Sequence, residues 1–201
     1  HVFNRVLPYG DLDISQYAPS AMGGPLTDEH VQRCLARGID RWHISLIDPD
    51  IAWQQIAVLS RHPVIIETFT AYDVDSYRWQ RDADVEFIAR VRNELYDLQK
   101  QWIDVEEPGF VVGDFARSKN VIDWLIQSYE GVCPTGCYTS NYMWSRVTGN
   151  TTLFSFLPLW FAHWNGDDSL DLVVPFGGWA RGEMHQTLND LFVEDVWCDT
   201  N

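Results

Sequence analysis

Short apolar runs alternate with amphipathic stretches along most of this chain. Runs at 12–15, 42–47, 64–70, 102–106 and 136–140 are brief and bounded by polar or turn-forming residues, which predicts strands. Between them, apolar positions recur at helical spacing. Residues 28–37 follow Thr27, a candidate N-cap, and stop near Gly38. A second helix is predicted over 51–61. The longest covers 82–101, where Val85, Ile88, Ala89, Val91, Leu95 and Leu98 mostly share one face. A fourth, over 117–129, carries Val121, Trp124 and Leu125. Three more apolar runs, 157–163, 170–174 and 196–199, close the chain with little helical signal between them.

Strand and helix in alternation imply a parallel sheet with crossover helices. Eight strands in 201 residues suggest closure into an irregular TIM-like (β/α) barrel of the α/β class, its late strands joined by loops. An open doubly wound sheet is the competitor. It would carry a glycine-rich phosphate loop after the first strand, and Gln16, Tyr17, Ala18, Pro19 and Ser20 stand there instead. No repeat, low-complexity tract or linker divides the chain, so residues 1–201 are expected to form one domain.

Composition narrows the function classes. Hydrophobic residues make up 46% of the chain, as in a globular domain. The net charge of −15 argues against nucleic acid and against an anionic membrane surface. The strongest apolar stretch, 153–164, is too short to span a bilayer and contains Pro158 and His163. No signal peptide is read at His1, and export by a removed signal stays open. Cys34, Cys133, Cys137 and Cys198 lack the density of a disulfide framework, and no further Cys or His stands at zinc-ligand spacing. Free or incidentally paired thiols are expected, with no metal and no cofactor.

Active sites of parallel barrels lie at the C-terminal ends of the strands. Acidic residues occupy three such positions: Asp13 on the first strand, Asp104 and Glu106 on the fourth, and Asp199 on the last. Strand side chains alternate, so Asp104 and Glu106 share a face while Val105 points toward the helices. Two residues of strand advance about 6.6 Å. Glycosidic cleavage needs one protonated and one ionised acid at roughly such spacing. Proximity and burial raise one pKa. Glu106 is assigned as general acid. Asp104 is expected to stay ionised and stabilise positive character at the anomeric carbon. Solvated loop-edge carboxylates are the plain alternative for any single Asp-x-Glu. A divalent ion held by Asp104, Glu106 and His185 is a further reading.

Ten Trp, eight Tyr and ten Phe supply rings that could stack on sugars. Tyr138, Trp160 and Trp179 flank predicted strand ends. With these residues, the chain resembles glycoside hydrolase family 25, the Chalaropsis-type lysozymes. The resemblance is carried by Leu12-Asp13-Ile14-Ser15-Gln16-Tyr17, by Ile103-Asp104-Val105-Glu106-Glu107-Pro108, by Gly136-Cys137-Tyr138-Thr139-Ser140 and by Leu159-Trp160-Phe161-Ala162-His163-Trp164. Pro175 to Trp179, Met184-His185-Gln186 and Cys198-Asp199-Thr200-Asn201 continue it in the same order.

The resemblance implies an eight-stranded barrel with about five helices. It implies hydrolysis of the β-1,4 bond between N-acetylmuramic acid and N-acetylglucosamine in bacterial peptidoglycan. Glu106 would be the acid, with Asp13, Asp104 and Asp199 around it. The substrate's own N-acetyl group would attack, oriented by Asp104. Tyr138, Trp160, Tyr17, Phe69 and Gln186 would line the glycan groove. A monomeric domain is expected, alone or as part of a larger modular protein. It would act outside the cell or on the wall, secreted or delivered by a bacteriophage. The second strand (His43 to Asp48), the third (Glu67 to Thr70) and His185 depart from the family pattern along the groove. Two rival readings are a non-catalytic glycan-binding barrel, which need not keep Asp104 and Glu106, and another barrel glycosidase acting on chitin-like glycan.

Overall fold

The computed structural model describes residues 11–14, 26–165, 169–193 and 196–200, with side chains described for 26–165 and 169–187. Five strand–helix steps and a sixth parallel strand dominate it. Strand β1 (Asp11–Ile14) leads to α1 (Asp28–Ala36), then β2 (Arg41–Ser45), α2 (Pro49–Leu59), β3 (Ile65–Ala71) and α3 (Tyr77–Glu94). Next come β4 (Gln101–Asp104), α4 (Phe115–Tyr129), β5 (Thr135–Thr139), α5 (Asn141–Thr148) and β6 (Leu159–Ala162). The remaining strands are β7 (Asp171–Phe176), β8 (Trp179–Arg181), β9 (Met184–Gln186), β10 (Leu188–Val193) and β11 (Val196–Thr200).

Helix starts follow local capping chemistry. Thr27 accepts from the His30 N–H in a capping box. Asp48 caps α2, with Pro49 at its first turn. Asp114 caps α4 and Ser140 caps α5.

Strands β1 to β6 and β9 run parallel in one curled sheet, ordered β1-β2-β3-β4-β5-β6-β9. The other edge continues through β11, antiparallel to β1, and β10, antiparallel to β11. Only Thr187 separates β9 from β10, and the two run in the same direction. One nearly continuous stretch therefore pairs with β6 in its first half and with β11 in its second. It completes an irregular TIM-like ring.

This closure corrects three expectations. The run at 170–174 is not a barrel strand: it belongs to β7, which pairs only with β8 in a separate two-stranded sheet. The last strand enters antiparallel, because the short β10–β11 connection cannot make the long crossover that a parallel neighbour needs. Strands β9 and β10 fall where no strand was expected. The helix expected over 82–101 is α3, ending at Glu94, and Leu95 leaves helical geometry at φ −126°.

The alternation of strand side chains splits the apolar residues in two. Trp42, Ile44, Ile66, Ile103 and Val105 pack outward against Val31, Ile56, Ile88, Val91, Val121 and Leu125 of the helices. Trp102, Tyr138, Trp160 and Met184 form a second cluster inside the ring. Trp160 stands at its centre, with ring centroids 4.6 Å from His43 and Tyr138 and 5.7 Å from Trp102. The Trp102 indole donates to Glu67 Oε2 at 2.7 Å, and Glu67 also pairs with His43 at 3.2 Å and Arg41 at 3.3 Å. Burial opposes the charge of Glu67, but these partners outweigh it and hold its carboxyl below the usual range.

Between sheet and helices, Asp84 of α3 accepts hydrogen bonds from Thr70 (2.8 Å), Tyr72 (2.7 Å) and Tyr129 (3.2 Å). Burial pushes its carboxyl up to about 6. Cys133 and Cys137 are buried free thiols, both pushed up by burial.

Trp102 lies flat over Gly136, its register partner on β5, where a Cβ would come within 2.2 Å of the ring. Gly136→Ala is therefore expected to displace Trp102 and cost about 1–3 kcal/mol. Thermal melting should show the loss as a Tm lower by roughly 3 to 10 °C, with a changed near-UV circular dichroism signal. An unchanged Tm would refute the close packing.

Candidate active site

Strand β4 delivers its residues alternately to the two sides of the sheet. Trp102 and Asp104 point into the ring, one above the other, while Ile103 and Val105 enter the outer core. Asp104 is register partner of Ala71 on β3 and Tyr138 on β5. Beyond the strand, Val105 still donates to the Tyr138 carbonyl at 2.9 Å, so Glu106 leaves the sheet only one residue past its last ladder bond.

A tight turn then fixes Glu106. The Phe110 N–H donates to the Glu106 carbonyl at 3.0 Å, and the Val74 N–H to the Gly109 carbonyl at 2.9 Å. Gly109 sits against the Tyr72 backbone so closely that a Cβ would lie 2.1 Å from its carbonyl oxygen. The turn after β4 is thereby keyed to the loop after β3. Asp104, Glu106, Glu107 and Pro108 line one side of a cleft of about 210 Å³, and Ala71, Tyr72 and Asp73 line the other.

The two carboxyls are electrostatically unusual. Asp104 Oδ1 is buried and has no hydrogen-bond partner. Burial, and then the charge of Glu106, holds the Asp104 carboxyl well above its ordinary range. Burial pushes Glu106 up to about 7. Two such groups at one strand end favour a state in which the pair carries a proton near neutral pH. Desolvation bears hardest on Asp104, so in the unliganded protein Asp104 is not the plainly ionised member that the strand pattern suggests.

The other expected site residues fall in different places. Asp13 and Asp199 are Cα partners across the β1–β11 ladder, and Asp13 is also partner of His43. Their side chains lie outside what is described. Tyr17 lies outside the described residues altogether. Tyr138 donates its hydroxyl to Gln186 Oε1 at 2.7 Å, and Gln186 also accepts from the Trp164 indole at 3.0 Å. Phe69 is half-buried, edge-on to Trp160 at 6.0 Å. Trp160, only 1% exposed, has no open face for a sugar and belongs to the aromatic cluster inside the ring. Trp179 is likewise core, donating to the Leu157 carbonyl at 2.9 Å.

His185 is no partner for Asp104 and Glu106. It stacks on Phe161 at 4.2 Å, with its ring nitrogens 2.8 and 2.9 Å from the carbonyls of His163 and Ser169. Among the described residues, no three His, Cys, Asp or Glu side chains gather as a metal site.

Sequence reasoning passed over Trp164 and Arg146. Trp164 is 60% exposed, its indole edge held by Gln186. Arg146 of α5 pairs with Glu107 at 3.3 Å, beside the cleft. Ser140 and Gly149, a helix start and a left-handed stop eight residues of helix apart, were the available signal for α5.

Comparison with known proteins bears on the family and the fold. A family model described as Lysozyme-like protein 1 matches residues 10–187. A Dictyostelium discoideum protein named Probable GH family 25 lysozyme 5 is 30% identical over 114 residues, 55% of this chain and 53% of that protein. Probable GH family 25 lysozyme 4, from the same organism, is 34% identical over 86 residues, 42% of this chain and 40% of its own. The chain thus spans about half the length, or less, of these curated relatives. Counting factor 50, also from Dictyostelium discoideum, is 24% identical over 106 residues, 51% of this chain and 35% of that protein. Among solved structures, a family 25 glycosyl hydrolase from Bacillus anthracis superposes with TM-score 0.62 at 10% identity, covering 94% of this chain and 86% of the other. At that identity the likeness speaks for the fold alone.

Burial of Asp104 makes a sign-definite prediction. A carboxyl raised by folding binds its proton more tightly when folded. Its burial therefore weakens the protein progressively as pH rises from the unfolded value, about 4, past the folded one. Asp104→Asn, which removes the charge, is expected to melt about 3 °C above the parent at pH 8. The gain should shrink toward zero at pH 4. Melting curves at both pH values decide it, and an Asn variant less stable at pH 8 would contradict the assignment.

Proposed function

The chain belongs to the lysozyme-like proteins of glycoside hydrolase family 25, and from that premise we propose that it hydrolyses the β-1,4 bond between N-acetylmuramic acid and N-acetylglucosamine in bacterial peptidoglycan. The observation that carries the reading is the pair of desolvated carboxyls, Asp104 and Glu106, at one strand end beside an open cleft. A domain that only binds sugar has no need of two desolvated acids. Hydrolysis needs both, one to give a proton and one to steady positive charge.

Glu106, raised to about 7, holds a proton it can give at neutral pH. It protonates the bridging oxygen as the C1–O bond breaks. The acetamido oxygen of the muramoyl sugar closes on C1 from the opposite face, and Asp104 accepts the acetamido N–H. Glu106, now ionised, takes a proton from water as the water oxygen attacks C1 and reopens the ring. Glu106 ends protonated, as it began.

The orphaned Oδ1 of Asp104 fits this part. An N–H brought to it by substrate stabilises the ionised form of Asp104. The shared proton is then left to Glu106, where the first step requires it. Asp13 and Asp199, Cα partners on neighbouring strands, are proposed as further acids of the site. Tyr138, Gln186 and Phe69 are proposed to shape its wall. The acidic chain, at net charge −15, meets an often anionic wall without electrostatic help. Action outside the cell or on the wall, by a monomeric domain that is secreted or carried by a phage, completes the proposal.

Clearing of a peptidoglycan suspension tests it. The parent protein should clear, and Glu106→Gln should fold normally yet lose more than about a hundredfold in rate. Equal clearing by both would remove Glu106 as the acid, and no clearing by the parent would remove the hydrolase reading. The parent's kcat/KM should fall as pH rises past the point, well above the ordinary carboxylate range, where the Asp104–Glu106 pair gives up its last proton.

A further inference from the structure

Beside the acidic cleft lies a second concavity of about 570 Å³, between α5 and the β7–β8 hairpin at the upper end of β6. Phe161, Leu172, Val173 and Val174 give it apolar walls, and Tyr142 and Arg146 face it from α5. Val173 and Val174 are 75% and 59% exposed, Tyr142 62%. These are open apolar surfaces in a place the barrel does not require. The β7–β8 hairpin that carries the two valines stands apart from the main sheet.

Charge distinguishes this groove from its surroundings. Among the described residues, no Asp or Glu lines the groove. The adjoining cleft, by contrast, is lined by Asp73, Asp104, Glu106 and Glu107. Arg146 stands between the two. Its guanidinium pairs with Glu107 on the cleft side at 3.3 Å and donates to the Tyr142 hydroxyl at 2.9 Å on the groove side. It also lies over the Tyr142 ring, 5.0 Å from the centroid. The floor is fixed as well, because His185 stacks on Phe161 and bonds the carbonyls of His163 and Ser169.

We propose that this groove binds a short peptide bearing carboxylates and small aliphatic side chains, carried on the sugar that occupies the cleft. The inference rests on the peptidoglycan reading above. A muramoyl sugar bears its peptide stem on a lactyl ether, so the stem must leave the cleft beside the reacting carbon. Apolar walls suit its alanine methyls. The guanidinium of Arg146, in a described lining that carries no carboxylate, suits its acid groups. The two concavities then divide one substrate, with uncharged sugar among the acids and anionic peptide beyond Arg146.

The test compares kcat/KM on peptidoglycan strands with stems intact and on the same strands stripped of stems by an amidase. The parent is expected to prefer intact strands about tenfold, the scale of one good pocket contact. Val173→Asp, which puts a carboxylate on an exposed part of the groove wall, should bring the ratio down to about one. Equal cleavage of both substrates by the parent overturns the peptide groove while leaving the hydrolase reading standing. A tenfold preference that survives in Val173→Asp places the selectivity elsewhere and also overturns it. Cleavage of neither substrate removes both readings together.

Discussion

A carboxyl oxygen buried without a hydrogen-bond partner is costly, and Asp104 keeps one at the end of β4. Glu106 adds a second desolvated acid two residues on. Neither group helps the protein fold. The surrounding structure has to hold them against their own repulsion, and most of its interior architecture serves that end. Trp102, directly below Asp104 on the strand, is held by Glu67 and backed by Gly136. Trp160 fills the middle of the ring and touches three of its walls. With a dry aromatic floor beneath it, a carboxylate at Asp104 has poor access to water from below.

The rigidity above the floor comes from backbone. Gly109 packs on the Tyr72 carbonyl at a distance no side chain tolerates, and Val74 bonds back to Gly109. Tyr72 is in turn tied through its hydroxyl to Asp84 of α3 and close to Tyr129 of α4. The turn that carries Glu106 is therefore braced by two helices through the loop after β3. This is preorganisation in a concrete sense. A proton donor held by packing reaches its target without first losing conformational freedom.

The half of the chain with regular alternation was legible from its residues. The first five predicted strands overlap β1 to β5, the first four predicted helices overlap α1 to α4, and α1, α2 and α4 start at side-chain caps, Thr27, Asp48 and Asp114. The pairing of Asp104 and Glu106 on one face followed from the strand period alone. Closure of the ring was not legible. The run at 196–199 did overlap β11, but β9 is three residues long and β10 follows after one residue, so neither has the length that a periodicity search detects, and β11 joins by hairpin pairing instead of a crossover. The β7 run looked like a barrel strand because a two-stranded hairpin has the same apolar character. Helix α5 was hidden by brevity, since eight residues hold barely two turns of the stripe formed by Trp144, Val147 and Thr148. The groove beside the cleft was unreadable for the same reason, as it is built from those two elements.

The proton is where sequence and structure part most instructively. Spacing on a strand supports two acids with opposite charge states, and chemistry then assigns the proton to the residue nearer the leaving oxygen. Burial argues differently in the empty site, because Asp104 is the more desolvated of the two. Both statements hold if substrate completes the site. In the proposed reaction a sugar's acetamido N–H would supply the donor that Asp104 Oδ1 lacks, and ionised Asp104 would then be the better-stabilised member of the pair. The same contact that orients the attacking group would thereby load Glu106 with its proton. A glycan without an acetamido group at that position would bind to an Asp104 still holding the proton, and would meet a weaker acid at Glu106. Selectivity for N-acetylated sugar would thus come from the protonation state of the site as well as from its shape.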